Sequence, residues 1–295
     1  MKHILKEGKI SLLLSEGEGG GLSGEVHLVQ HHYTNYVLRR CKTLKKAKNY
    51  QKISQHFEHY GFLPKFLGIY GKDVLYEYIA GRDLRDKEPL KVFYQLGRIE
   101  AILNTVRVRY TGDKKVYHQL KELVTGHYKP TDKVLMRRYK NRLAGESFAP
   151  RRSKAILSQQ QATKIKQIYT QLKVQLKPLS TLDGNDLLPG NFRIRKGKIY
   201  FVDVEAIKPQ VKGFGIAKHF FKWAKITNQQ KAFLQGYSSI SSLRFFTTSY
   251  KDFCDLLFLI QALNYKAQVG RDYTSDLERL NKLLLKYESY KYPLQ

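Results

Sequence analysis

The chain has 295 residues, with 53 Lys and Arg against 25 Asp and Glu, for a formal net charge of +28. Apolar residues make up 42 %, enough for a sizeable core, so a folded chain of one large domain or two lobes is expected rather than a disordered one. No stretch approaches the roughly 18 consecutive apolar residues of a spanning helix, and the two cysteines, Cys41 and Cys254, are too few for a disulfide framework or a cysteine zinc site.

Residues 1–14 hold only a short apolar run and no cleavage-site pattern, so no secretory signal is expected and a reducing, cytoplasmic location is the default. Residues 9–15 and 25–31 alternate apolar and polar side chains around a glycine cluster, and 35–42 forms a third such run after a short polar turn at 32–34. Residues 43–60 have helical spacing, and Gly61 stops the helix. A hairpin follows, 66–70 and 74–78, around Gly71, Lys72 and Asp73. Helices are expected at 90–108, 115–125, 131–143 and 158–176, with a loop at 145–153. A strand pair, 192–195 and 198–202, turns at Lys196 and Gly197. Further helices are expected at 229–237, 250–269 and 274–290. The order predicts an α+β fold of two lobes: a small β-rich N-lobe over 1–80 and a larger helical C-lobe over 81–295, with a cleft between them.

The positive charge is uneven. Residues 107–180 hold 18 Lys and Arg against 4 Asp and Glu, half of the chain's excess, with clusters at Arg137, Arg138, Lys140 and Arg142 and at Arg151, Arg152 and Lys154. Such a field suits a polyanion (nucleic acid, an anionic membrane surface or a phosphorylated substrate), or it is a solvated face that confers solubility.

Three patterns carry chemistry. Gly19, Gly21, Gly24 and Val26 fit G-x-G-x-x-G-x-V between two strands. A dinucleotide fingerprint would need a helix directly after the glycines, so this loop reads as a phosphate-covering hairpin, with Val26 an apolar roof for a base. The alternative is an ordinary hairpin. Asp186 and Asn191 lie five residues apart, and Asp203 follows twelve later at the end of an apolar strand, with Glu205 beyond it. An Asp beside a hydroxyl can accept or orient its proton, and an Asn and a second Asp supply hard oxygen ligands for Mg²⁺. The histidines at 31, 32, 56, 59, 118, 127 and 219 show no paired metal-ligand spacing and read as surface or structural.

With these residues the chain resembles the protein-kinase-like superfamily, in its aminoglycoside and choline phosphotransferase branch, over roughly residues 10–270. That branch reads H-G-D-x-x-x-x-N followed by a strand and D-x-E; Asp186, Asn191, Asp203 and Glu205 match, and 75–84 looks like its hinge. The resemblance implies ATP between the lobes, its adenine held by backbone near Glu77, Tyr78 and Ile79. It implies Asp186 as base or orienter, and Asn191 and Asp203 as Mg²⁺ ligands. Its third-strand cation is best matched by Arg39, which shares a strand face with Val37; Lys42 is the alternative on the other face. Two departures stand out. Gly184 and Asn185, without the family's His, precede Asp186. The 43–60 helix offers only Glu58 near its end as an acid, with Gln51 or Gln55 as neutral substitutes.

The branch places its acceptor in the C-lobe. A net +14 across 107–180 disfavours a cationic acceptor and fits an anionic one: a sugar of lipopolysaccharide, a related glycolipid or a phospho-sugar. The same face would favour peripheral contact with anionic lipid, at about 1 kcal/mol per Lys or Arg near the surface. Two other readings stay open. One is a nucleotide-binding pseudokinase or scaffold module, suggested by the missing helix acid. The other is an RNA binder, suggested by tyrosines such as Tyr128, Tyr139 and Tyr169 among the cations, although nucleic acid is the less expected partner.

Overall fold

The computed structural model describes residues 2–14, 25–85, 87–109, 112–128 and 154–289. In chain order the elements are α1 (Lys2–Glu7), β1 (Lys9–Leu14), β2 (Val26–His31), β3 (Thr34–Arg40), α2 (Leu44–Phe57), β4 (Phe66–Tyr70), β5 (Asp73–Glu77), β6 (Arg82–Asp83), α3 (Leu90–Leu103) and α4 (Asp113–Thr125). They continue with α5 (Gln159–Leu176), β7 (Ser180–Gly184), β8 (Phe192–Arg195), β9 (Lys198–Phe201), β10 (Ile207–Val211), α6 (Phe214–Lys222), α7 (Thr227–Ser238), α8 (Thr248–Val269) and α9 (Thr274–Ser289). The mixed α+β character expected from the sequence is present.

Two compact units emerge: Met1–Leu103 with Gly184–Lys208 and His219–Ser241, and Asn104–Asp183 with Pro209–Lys218 and Ser242–Gln295. This partition cuts the chain differently from lobes at 1–80 and 81–295. Pairing is the reason. β6 pairs with β8 (Arg82↔Ile194, Asp83↔Arg193), and the Phe201 N–H donates to the Phe62 carbonyl at 2.8 Å, so the segment around Asp186 and Asp203 joins the N-terminal sheet's unit.

In the first unit a five-stranded antiparallel sheet runs β1-β2-β3-β5-β4. Period-two alternation gives it two apolar faces. Val29, Leu38 and Leu75 are buried on one, and Ile4 and Leu5 of α1 pack onto them. On the other, Val26 and Val74 stand directly opposite Arg39 on the neighbouring strands. Helix α2 begins where the Thr43 side chain accepts from the Lys46 N–H, buries Ala47, Tyr50, Ser54 and Phe57, and is followed by a short turn ending at Gly61, whose φ of +63° is left-handed. The β8–β9 hairpin turns at Lys196 and Gly197, both left-handed with φ of 51° and 75°, the conformation a two-residue hairpin loop needs.

Helices α3 and α7 cross closely. A Cβ built on Gly97 would overlap the Phe233 carbonyl, and one on Gly236 would overlap the Tyr94 carbonyl, so each helix gives up a side chain where the other's backbone passes. The 90–108 helix expected from the sequence ends at Leu103. Asn104 is recruited elsewhere, its side chain donating to the Leu182 carbonyl at 3.0 Å and accepting from the Gly213 N–H at 3.2 Å.

The second unit is built on α4, α5, α8 and α9. Ser158 and Gln161 form a capping box that starts α5. Tyr169 is fully buried and stacks on Phe253 at 5.5 Å, while its hydroxyl bonds Asp113. Tyr169 is therefore core and is no platform for RNA bases. Five elements were not expected from the sequence: α1, β6, β7, β10 and α6. The first four are short, and Pro209 interrupts the pattern of β10. The expected 131–143 helix and the basic cluster from Arg137 to Arg152 lie outside the described residues, as does Tyr139. Among the described residues, no helix is long and apolar enough to cross a membrane.

Gly97→Ala or Gly236→Ala is expected to cost at least about 2 kcal/mol of stability, since overpacking of a rigid backbone contact typically costs about 1–3 kcal/mol. Urea denaturation measures it, and an unchanged midpoint would contradict the close crossing.

Candidate active site

Arg39 is the centre of the arrangement. It leaves β3 on the face it shares with Val26 and Val74, and its side chain is only 12 % exposed. Its guanidinium reaches Asp203 Oδ1 at 3.4 Å and Glu205 Oε2 at 3.3 Å. Arg39, the cation expected from this strand, lies within β3 and faces these carboxylates, whereas Lys42 lies beyond the end of β3 and is exposed.

Helix α2 completes the cluster in an unexpected way. Glu58, the acid expected nearest the helix end, lies past the end of α2. Instead Lys46, in the first turn, places Nζ 2.8 Å from Glu205 Oε1, and Tyr50, one turn on, sets its ring 5.5 Å from the Arg39 guanidinium. Glu205 thus bridges two cations, one from the sheet and one from the helix. The spacing of Lys46 and Tyr50 was visible in the sequence, but their shared target, about 160 residues away, was not.

The loop at 186–191 is held by its own backbone and by side chains from distant elements. The Asn191 amide donates to the Asp186 carbonyl at 2.7 Å, and the Val202 N–H donates to the Asn191 carbonyl at 2.9 Å, which ties the loop to the residue before Asp203. Gly184, where the loop begins, donates its N–H to the Glu100 carboxylate at 3.0 Å; a Cβ there would strike the Leu187 side chain. The buried His219 of α6 donates from Nδ1 to the Leu187 carbonyl at 2.9 Å. A histidine does orient this loop's backbone, as the missing His before Asp186 would have done, but it comes from another element.

Asp203 sits among charges of both signs. Burial pushes the Asp203 carboxyl up; Arg39 and Lys208 oppose the shift, and Glu205 and Asp186 reinforce it. A divalent ion would relieve this crowding of carboxylates. With the Asn191 nitrogen engaged on Asp186, its side-chain oxygen is the atom left to face such an ion. Asp203, Asn191 and Glu205 therefore fit a hard, oxygen-liganded cation.

The remaining expected site residues divide into two groups. Val26 is buried on the Arg39 face. The sheet ladder ends at Tyr36↔Glu77, so the backbone of Tyr78 and of the buried Ile79 runs out of the sheet. The Glu77 side chain is engaged by Arg195 at 2.6 Å, which fastens this stretch to the β8–β9 hairpin, as do Arg193 to Asp83 at 3.0 Å and the β6–β8 pairing. Gly19, Gly21 and Gly24 lie outside the described residues.

Burial holds the His219 pKa down to about 4. The unfolded chain then binds a proton near pH 6.5 that the folded protein refuses, so stability falls as pH drops through that window toward 4. This one group is expected to remove about 2 kcal/mol between pH 7 and pH 5. His219→Gln, which keeps a donor for Leu187, should flatten the dependence by that amount in denaturation curves; an equal loss in both proteins would contradict the assignment.

The family model described as choline/ethanolamine kinase matches residues 20–288, most of the chain. No curated protein matches the sequence. Among solved structures, the chain is similar to the choline kinase LicA from Streptococcus pneumoniae, at 16 % identity and TM-score 0.57, covering 96 % of this chain and 95 % of that one. It is also similar to a choline/ethanolamine kinase family protein from Mesorhizobium loti, at 17 % identity and TM-score 0.56, covering 97 % and 89 %. A spectinomycin phosphotransferase solved with ADP and spectinomycin shares the fold at 9 % identity and TM-score 0.58, covering 96 % and 89 %. The fold is that of the protein-kinase-like phosphotransferases, and the chain belongs to the choline/ethanolamine kinase family, kinases whose acceptor is a hydroxyl group.

Proposed function

We propose that this protein transfers the γ-phosphoryl group of ATP to a hydroxyl of an anionic acceptor, with the chemistry carried by the first unit. The observation that supports it most is the cluster of Arg39, Asp203, Glu205 and Lys46 beside the Asp186–Asn191 loop. Nucleotide as the donor is also supported by the likeness to LicA solved with AMP and to the spectinomycin enzyme solved with ADP.

Each residue then has a task. Asp186 orients the acceptor hydroxyl and takes its proton as the hydroxyl oxygen bonds the γ-phosphorus and the bond from that phosphorus to the β–γ bridging oxygen breaks, releasing ADP. Asn191 and Asp203 would hold Mg²⁺, which when bound neutralises charge on the phosphates. Arg39, kept in place by two carboxylates and the Tyr50 ring, steadies the phosphate oxygens. The backbone of Tyr78 and Ile79 takes the adenine, Val26 lies over it, and the glycines at 19, 21 and 24 cover the phosphates. The pseudokinase reading rested on the missing helix acid; the Lys46–Glu205 bond supplies a different tie between α2 and the site and weakens that reading.

The acceptor reading rests on charge. A chain of net +28, with half of that between residues 107 and 180, would repel choline or ethanolamine on approach and attract a phospho-sugar or a lipopolysaccharide sugar. The same charge supports peripheral contact with an anionic membrane. Two free, buried cysteines are consistent with a cytoplasmic location. The second reading, phosphorylation of choline or ethanolamine, is favoured by the family model.

Transfer from labelled ATP to choline, ethanolamine, hexose phosphates and lipopolysaccharide extracts separates the two. Label is expected in an anionic acceptor; efficient labelling of choline alone would overturn the acceptor reading. Asp186→Asn should lower kcat by at least about 100-fold with little change in nucleotide affinity. An unchanged kcat would remove Asp186 from the proton transfer.

A further inference from the structure

Three histidines and one glutamate converge at the far end of the sheet from α2. Read separately along the sequence, His31 and His32 had no metal-ligand spacing. The fold supplies the missing partners, because α1 docks against β2 through Ile4 and Leu5 and brings His3 and Glu7, one helical turn apart, to the β2–β3 turn. One ligand atom from each of His3, Glu7, His31 and His32 lies within 4.8 Å of every other. His3 Nδ1 is 2.9 Å from Glu7 Oε1, and His31 Nε2 is 3.7 Å from Glu7 Oε2. The His31 ring lies 5.1 Å from that of His3 and 4.2 Å from that of His32.

Two features separate this group from an accidental surface cluster. Successive side chains of a strand point to opposite faces, yet His31 and His32 lie ring to ring. The left-handed backbone of His32, φ 51°, is what breaks the alternation. In addition, the His31 side chain is nine-tenths buried, and its Nε2, aimed at Glu7, makes no hydrogen bond among the described residues. A buried, unbonded imidazole nitrogen is costly unless something coordinates it.

We propose that His3, Glu7, His31 and His32 bind a divalent ion of the zinc type, which clips α1 to the β2–β3 turn. Three imidazoles and one carboxylate are a donor set suited to zinc, at about 2.0–2.2 Å from the metal. Ligand atoms in such a site stand about 3.3 Å apart. The exposed side chains of His3 and Glu7 are free to close the difference by rotation. The clip has a structural purpose. A helix of six residues does not persist alone in water, and α1 packs onto the sheet core through Ile4 and Leu5. Binding would turn metal affinity into stability of this helix.

The test uses the full chain, free of affinity tag and stripped of metal, titrated with ZnCl₂ by calorimetry and melted with and without zinc. One zinc per chain is expected, with a raised Tm. His3→Ala and His32→Ala, both at exposed positions, should each weaken zinc binding by at least about 100-fold, since loss of even an outer-sphere partner costs about 10–100-fold, and should abolish the Tm shift. Circular dichroism checks that both variants fold. Failure of the wild-type chain to take up zinc, or equal uptake by the His3→Ala/His32→Ala double variant, would overturn the proposal.

Discussion

A guanidinium placed between two carboxylates in a half-enclosed site is the constraint on which the rest of the first unit depends. Arg39 would be costly to bury alone, and Asp203 and Glu205 together would repel one another. Each needs the other in place. That requirement fixes β3 against the segment after β9, and through the Val202–Asn191–Asp186 bonds it fixes the loop that carries the other polar groups. Removing one member would leave the charge of the others uncompensated in a partly buried site. The strand, the loop and the helix α2 are therefore positioned by one small electrostatic core.

The helix contribution is the unusual part. The site needs α2 tied to it, and the sequence offers no acid on the right face. The structure uses a cation, with Glu205 as a bridge between Lys46 and Arg39. Charge balance follows from this: two carboxylates, Asp203 and Glu205, face two cations, Arg39 and Lys46. A nucleotide and a divalent ion would add charges of opposite sign to a cluster already close to neutral.

Much of this was legible in the sequence, for identifiable reasons. Period-two alternation gave the five strands of the first sheet, because one face is buried under α1 and the other under α2. Turn chemistry marked the β8–β9 hairpin, because Lys196 and Gly197 sit where left-handed backbone is needed. The spacing of Asp186, Asn191 and Asp203 follows a short loop and a short strand, and the structure has that loop tied to the residue before Asp203. Illegible features were those in which a local segment is too short to carry a pattern or in which meaning depends on a remote partner. Helix α1 has six residues, and β10 contains Pro209. Lys46 looked like any surface lysine, and His219 like any core histidine. His3 and Glu7 acquire a role only when α1 folds back onto His31 and His32.

Binding of ATP with and without Mg²⁺, compared between the wild-type chain and Asp203→Asn, tests the central claim most directly. Asp203 and its partners are held to form a cation-dependent phosphate clamp. Mg²⁺ should therefore strengthen ATP binding to the wild type by at least about tenfold, about 1.4 kcal/mol, and should do so hardly at all for Asp203→Asn. Equal gains from Mg²⁺ in both proteins, or no gain in the wild type, would contradict it.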